Sequence, residues 1–238
     1  MLHQTKGITL KITNYSESSV VAQIYTEAFG LQSYLINGAR KPKAKISTNM
    51  LQPFHLLELV VYNKENNNLQ RIKEAQHSPV LKHVPLDIVK SSIALFLNEI
   101  LYKVLRHQAT DKHLFEFLEN AIMWLDESEV GLANYHLIFL LKLTHYLGFK
   151  PSFNDQPYFD LIEGRFVSIL PPHVYTLQEP YTSILRELAN SSFSNCNKTR
   201  LKREDRSYLL QKLVDYYRLH TENFGELNSL YVLEEIFD

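Results

Sequence analysis

GLQSYLINGARKPKAKISTNMLQP, residues 30–53, opens as an alternating apolar run, turns at Gly38 and then releases Arg40, Lys41, Lys43 and Lys45 within six residues that hold no acid. A strand that ends in such a loop puts a mobile positive edge on a rigid support, an arrangement suited to holding a polyanion by its phosphates. The competing explanation is a solvated lysine-rich loop with no dedicated partner.

Period-two patterning extends on both sides of this stretch, from Gln4 to Ala75, the mark of half-buried strands. TKGITLKI, residues 5–12, places Ile8, Leu10 and Ile12 on one face. A turn follows at Asn14 to Ser18, then SVVAQIYT as a second strand, a turn at Glu27 to Gly30, and LQSYLIN as the third. LLELVVY after Pro53 is a fourth, and a turn at Asn66 to Asn68 leads into LQRIKEA as a fifth. Five short antiparallel strands with one longer connection between the third and fourth suit an OB-type barrel over residues 1–77. A five-stranded SH3-like barrel fits the same periodicity. Lys6 and Lys11, on the first strand, join the loop cations as candidate DNA contacts. Tyr62 is assigned to the core, whereas Tyr34 is left between the core and an outward position that stacks a base.

Ser78 to Pro85 holds two prolines and marks a boundary. Beyond it, over residues 85–238, the apolar period lengthens to that of a helix. Ile88, Ile93, Leu97, Ile100, Leu101 and Leu105 line a first helix with Asp87 at its start, and Asp111 caps a second. Leu132 to Leu147, apolar almost all round, is the central buried helix. Residues 149–180 hold five of the nine prolines, with a hairpin about Glu163-Gly164. Helices resume at Tyr181 to Asn190, Arg203 to Thr221 and Leu227 to Glu235. The fold class is therefore α+β in two domains, a barrel followed by a helical domain with a Pro-rich hairpin insert.

Charge divides along the same line. The overall formal charge is −1, but residues 1–77 carry nine Lys/Arg against five Asp/Glu, and the remainder 16 against 21. A basic head on an acidic body implies different partners for the two. Lys198, Arg200, Lys202, Arg203 and Arg206 form a second basic run, a candidate DNA or partner patch, although Glu204 and Asp205 lie inside it. No Gly-rich phosphate loop, GxSxG or HExxH occurs, so no enzymatic activity is expected. His136 and His145, nine residues apart on one helix, point to opposite sides and cannot share a metal. The one cysteine, Cys196, reads as an incidental exposed or half-buried thiol and rules out a disulfide framework. The start MLHQTKGITLKI lacks the pattern of a signal peptide, and no apolar run reaches the length of a membrane span. A cytoplasmic protein is expected.

Thr5-Lys6-Gly7-Ile8 at the head of a strand, Tyr15-Ser16-Glu17-Ser18-Ser19 in the first turn, Gly38-Ala39-Arg40-Lys41 after the third strand and Leu51-Gln52-Pro53 before the fourth resemble the RecO family of bacterial recombination mediators. The likeness continues through LTHYLGF, residues 143–149, and Leu230 to Leu233. It implies an N-terminal OB domain, a helical C-terminal domain, binding of single- and double-stranded DNA, and annealing of complementary strands. Further implications are cooperation with RecR in loading RecA, association with the nucleoid during repair, and docking of the C-terminal tail of the single-stranded-DNA-binding protein. Such an acidic, apolar-ended tail needs a cationic rim, for which Lys103, Arg106 and Lys142, or the Lys198 to Arg206 run, are the candidates. Many relatives hold zinc with four cysteines in the insert; residues 154–180 contain none here, so neither zinc nor any other cofactor is expected, and packing alone must hold that region. Two rival classes remain: an OB-fold protein-interaction scaffold without annealing activity, and an enzyme acting on nucleic acid.

Overall fold

The computed structural model describes residues 1–64, 67–129 and 132–236. Asn66, at the start of the turn expected at Asn66 to Asn68, lies outside the described residues. Contacts divide the chain into two compact units, Met1–Glu127 and Ser128–Asp238.

In the first unit β1 (Leu2–Asn14), β2 (Val20–Thr26), β3 (Gly30–Ile36), β4 (Leu56–Tyr62) and β5 (Gln70–His77) close a barrel in the order β1-β2-β3-β5-β4. β3 and β5 pair in parallel, through Tyr34 with Gln70 and Leu35 with Arg71, while β1 closes on β4. This Greek-key order is that of an OB barrel and decides between the two barrels that periodicity left open. Val20, Ala22, Ile24, Tyr34, Ile36, Leu57, Leu59 and Val61 fill the interior. Gly7 faces the same interior; a Cβ there would meet Ile24 Cγ2 at 2.7 Å and Leu59 Cδ1 at 2.8 Å, so only glycine lets β1 pass this close.

Three expectations are corrected. Ile8, Leu10 and Ile12 do not share a face, because the register shifts between Thr9 and Lys11; Ile12 pairs with core residue Ala22, and Ile8 with Tyr25 and Leu56 on the outer layer. The extra residue of a bulge reverses every side chain beyond it. Tyr34 is a core residue, 1% exposed, whereas Tyr62 is 45% exposed, since it has the parity of Glu58 rather than of Leu59. Ile88 is exposed, because five residues separate it from Ile93 and rotate it off the buried stripe.

α1 (Ile88–Val104) and α2 (Lys112–Glu127) pack on the barrel within this unit. Asp87 caps α1 by accepting from the amides of Val89 and Lys90, and Asp111 caps α2 through those of His113 and Leu114. The buried Asn98 amide donates to Leu10 O across the bulge at 2.7 Å, and Phe115 stacks on Tyr25. The segment between barrel and helices is pinned: the Asp126 carboxylate accepts from the amides of Lys82, His83 and Val84 at 2.8–2.9 Å. Burial opposes the ionised form of Asp126, but these donors outweigh it and pull its pKa down.

In the second unit α3 (Tyr135–Tyr146) is buried almost all round, as expected. The Tyr217 hydroxyl of α5 (Arg203–His220) donates to Leu140 O at 2.8 Å. α4 (Tyr181–Asn190) and α6 (Leu230–Ile236) complete the helices. The insert holds the expected hairpin, β6 (Tyr158–Asp160) with β7 (Arg165–Val167), and a third strand, β8 (Thr176–Leu177), pairs with the far edge of β6. Two short residues between proline-rich segments carry no periodicity, so β8 leaves no trace in the sequence. Among the described residues no helix is long and apolar enough to cross a membrane.

Candidate nucleic-acid interface

The loop from Asn37 to His55 is folded back on the barrel rather than free. Ala39, Ile46 and Leu51 are buried in the barrel core, and backbone bonds from Arg40 N to Ser18 O and Thr48 N to Ala39 O tie it down. Between these anchors Arg40, Lys41, Lys43 and Lys45 are exposed, and among the described residues none of the four is in an ion pair. Lys43 has φ +62, a left-handed conformation that costs a non-glycine residue on the order of 1 kcal/mol.

The two cations of β1 have a different setting. Lys6 Nζ lies 2.8 Å from Glu119 Oε1 on α2. The hydrogen bond to Glu119 raises its pKa most, burial works against it, and Glu27 and Glu58 add to the rise. Lys11 Nζ sits 4.8 Å from the centre of the Tyr102 ring on α1, and the Arg106 guanidinium 4.3 Å from the same ring. Lys6 is thus paired to a helix and Lys11, though exposed, lies by a helix ring, while the loop cations are exposed with no ion pair among the described residues. A cleft of about 560 Å³ on β1, β4 and β5 brings Lys6 and Lys45 together with Glu27, Glu58 and Glu74. A second barrel cleft, of about 500 Å³, is lined from β3, the β4–β5 turn and Thr110, largely by amide side chains.

The second basic run is partly structural. Arg206 is half-buried and donates to Asn134 Oδ1 at 3.2 Å and Leu201 O at 3.1 Å; its pKa is lowered by burial. The Asn134 amide in turn donates to Cys196 O and Thr199 O, so this clamp fixes the loop that carries Lys198 and Arg200, both exposed. Lys202 and Arg203 are also exposed. Cys196 itself is buried, against expectation, and burial raises its thiol pKa. A polar flanking sequence gave no hint of it.

Of the rim candidates, Lys103 and Arg106 belong to the first unit and Lys142 to the second. Lys142 is partly buried, and desolvation, with Lys150 as a second cation nearby, lowers its pKa. Lys212, on α5, borders a void of about 10 Å³ among Leu141, Phe159, Leu161, Leu185 and Leu209, and its ammonium donates to Val174 O at 2.8 Å.

Among the described residues no three His, Cys, Asp or Glu side chains are grouped to hold a metal, and His173 is engaged with Asp160 at 3.4 Å. Packing is not the insert's sole support, since Arg186 lies 4.0 Å over the Phe166 ring and donates to the carbonyls of Asn154 and Gln156.

An OB-type barrel with an anchored basic loop, followed by an all-helical part with a small sheet, defines a two-part architecture found in recombination proteins. The chain belongs to the RecO family: residues 1–78 match Recombination protein O N terminal and residues 85–230 match Recombination protein O C terminal. It is 36% identical over 242 residues to a DNA repair protein RecO of Bacteroides fragilis and 37% identical over 240 residues to one of Phocaeicola vulgatus, each covering 100% of both chains. A DNA repair protein RecO of Flavobacterium psychrophilum is 34% identical, covering 98% of each chain.

Proposed function

We propose that this protein is a recombination mediator of DNA repair that binds single- and double-stranded DNA and anneals complementary strands. The observation that carries this reading is the anchored loop, which offers Arg40, Lys41, Lys43 and Lys45 to solvent without a neutralising partner among the described residues. Lys6 and Lys11 add positive potential behind it but, being held by Glu119 and Tyr102, they contribute less. Annealing follows from screening: two mutually repelling strands meet on one positive surface, and base pairing supplies the favourable free energy. Neither nucleotide hydrolysis nor a metal enters this scheme, and the protein is not an enzyme.

Strand annealing by the purified protein, without nucleotide or Mg²⁺, tests the reading directly. If about four phosphates are neutralised on a single strand, log K falls against log salt with a slope of roughly −3. No annealing, with no salt dependence, overturns the reading in favour of a protein-interaction scaffold; cleavage of the oligonucleotide on adding Mg²⁺ favours an enzyme.

In this reading the protein acts beside a RecR-like partner and, indirectly, the recombinase it helps load. For the acidic tail of the single-stranded-DNA-binding protein, the rim is drawn from Lys103, Arg106 and Lys142 or from the exposed Lys198, Arg200, Lys202 and Arg203. Charge reversal at Lys142 or Arg106 should weaken tail-peptide binding by about tenfold or more while DNA affinity stays within about twofold; loss of both together favours the Lys198 to Arg206 run.

A further inference from the structure

We propose that the end of the barrel interior beside β4 holds an exchangeable divalent transition-metal ion between His55 and His77, and that this ion fastens the exit of the basic loop to β5. Gly7 and Thr9 of β1 face the interior, since Gly7 pairs with Leu57 and Thr9 with Ile24, both core residues. Leu57 also pairs with His77, and His55 lies two residues before Leu57 with the same parity. Thr9 N donates to His55 O at 3.1 Å. The apolar interior therefore ends, on this side, in a hydroxyl and two imidazoles.

The protein itself leaves these groups unsatisfied. Thr9 is 0% exposed, and neither its Oγ1 nor the buried His55 Nδ1 has a hydrogen-bond partner among the described residues. Orphaned polar atoms of this kind are rare in folded proteins, and a water or an ion is a usual explanation. The two rings lie edge to face with their centres 5.0 Å apart. Imidazoles that bind one ion through nitrogens about 2.0–2.1 Å from it, at a tetrahedral angle, have centres about 5 Å apart. Both histidines are partly exposed, which gives an ion a way in.

Ligand type selects the ion. Neutral imidazole suits zinc, copper, nickel and iron, whereas Mg²⁺ and Ca²⁺ favour oxygen. Two protein ligands do not make a closed structural zinc centre, which takes four; water fills the remaining positions, and the Thr9 hydroxyl supplies a hydrogen bond to it. His55 is the last residue of the loop that offers Arg40, Lys41, Lys43 and Lys45. Before it, Phe54 is held at φ +71, with its amide donating to Thr9 O at 2.7 Å. His77 is the last residue of β5. An ion bridging the two rings opposes local opening of the loop from its C-terminal end. It takes no part in strand annealing.

The test titrates tag-free full-length protein with Zn²⁺, Co²⁺ and Mg²⁺ by calorimetry, and follows trypsin digestion with and without Zn²⁺. One equivalent of Zn²⁺ or Co²⁺ should bind and Mg²⁺ should not, and Zn²⁺ should slow cleavage after Arg40, Lys43 and Lys45. His55→Ala and His77→Ala should each lower the affinity by about tenfold or more and abolish the protection. His145→Ala, at an exposed position on α3, should change neither. Thr9→Val, which keeps the shape and removes the orphaned hydroxyl, should lower the affinity less and raise the unfolding midpoint of the metal-free protein. If His55→Ala does not fold, the more accessible His77→Ala decides alone. Unchanged uptake by His77→Ala, or no uptake by the wild type, overturns the site. DNA binding enters none of these readouts, so the metal site and the DNA reading of the barrel fail separately.

Discussion

The two clefts of the barrel have nearly the same volume and opposite chemistry. One sets Lys6 and Lys45 among Glu27, Glu58 and Glu74; the other is walled by amides, the Ser33 and Thr110 hydroxyls, the Phe29 ring and a single cation, Lys64, among the described residues. Both lie in the half of the chain with a net positive charge, so regional charge does not say where a polyanion goes. What decides is whether each cation already has a partner. Lys6 spends its charge on Glu119, while the loop cations keep theirs.

The sharpest way to break this comparison is to neutralise Arg40, Lys41, Lys43 and Lys45 together. Single-strand affinity at about 0.1 M salt should fall by roughly several hundredfold and the salt slope should flatten by about 3, if each cation releases its counterion. An unchanged slope would move the phosphate site off the loop.

Acidification is the obvious route to neutralising the glutamates, but the fold resists it. His136 is fully buried, and desolvation, reinforced by Arg206, lowers its pKa to about 3. The unfolded chain therefore takes up a proton near pH 6.5 that the folded chain refuses. The stabilisation from a neutral His136 is fully present above pH 6.5 and is lost as pH falls toward 3, at about 1.4 kcal/mol per pH unit, or tenfold in the folding equilibrium. Burial lowers the pKa of His55 and His77 as well, in the same direction. Chemical denaturation at pH 7.5 and 5.5 should show the loss; Phe in place of His136 should reduce it.

Freeing Lys6 is the gentler route. Glu119→Gln removes its partner and one negative charge, and should raise single-strand affinity by about threefold while steepening the slope by up to about 0.7. No gain would mean that the β1 face is closed to DNA whatever its charge. The smallest effect belongs to Lys43. Lys43→Gly should relieve the left-handed strain and raise stability by up to about 1 kcal/mol in denaturant titration, while DNA affinity drops by only about threefold. Gain of stability with loss of binding is the signature of a strained residue kept for its charge.

Strand positions were legible because alternation survives in a barrel, and the caps at Asp87 and Asp111 because an isolated acid before an apolar run has few other meanings. Which way the strands face was less legible. A one-residue bulge in β1 reversed Ile12 relative to Ile8, and parity placed Tyr62 outside and Tyr34 inside. The loop cations could be read directly, since an acid-free cluster is a composition signal. Their anchoring by Ala39, Ile46 and Leu51 could not, because small and isolated apolar residues in a lysine-rich stretch have no period. Nor could the amide cleft be foreseen, since its walls meet only through the parallel pairing of β3 with β5. Charge counting placed Arg206 in a surface patch, yet Asn134, 72 residues earlier in the chain, holds it as a clamp.

The clamp on Asp126 bears on how the molecule can be taken apart. Family boundaries fall after residue 78 and before residue 85, and a fragment cut there would contain every barrel strand. It would also lose the amide that satisfies Leu10 O and the ring that covers Tyr25, leaving a bare polar carbonyl and an apolar outer face. Such a piece is a candidate for aggregation rather than for binding assays. The severable part runs from Met1 to Glu127, where the last helix of the first unit ends and its carboxylate has already tied down the crossing segment. Heredity and mechanics therefore divide this chain at different places, and only the second division keeps the Asp126 clamp, the Asn98 bond to Leu10 O and the Phe115 cover of Tyr25 in one fragment.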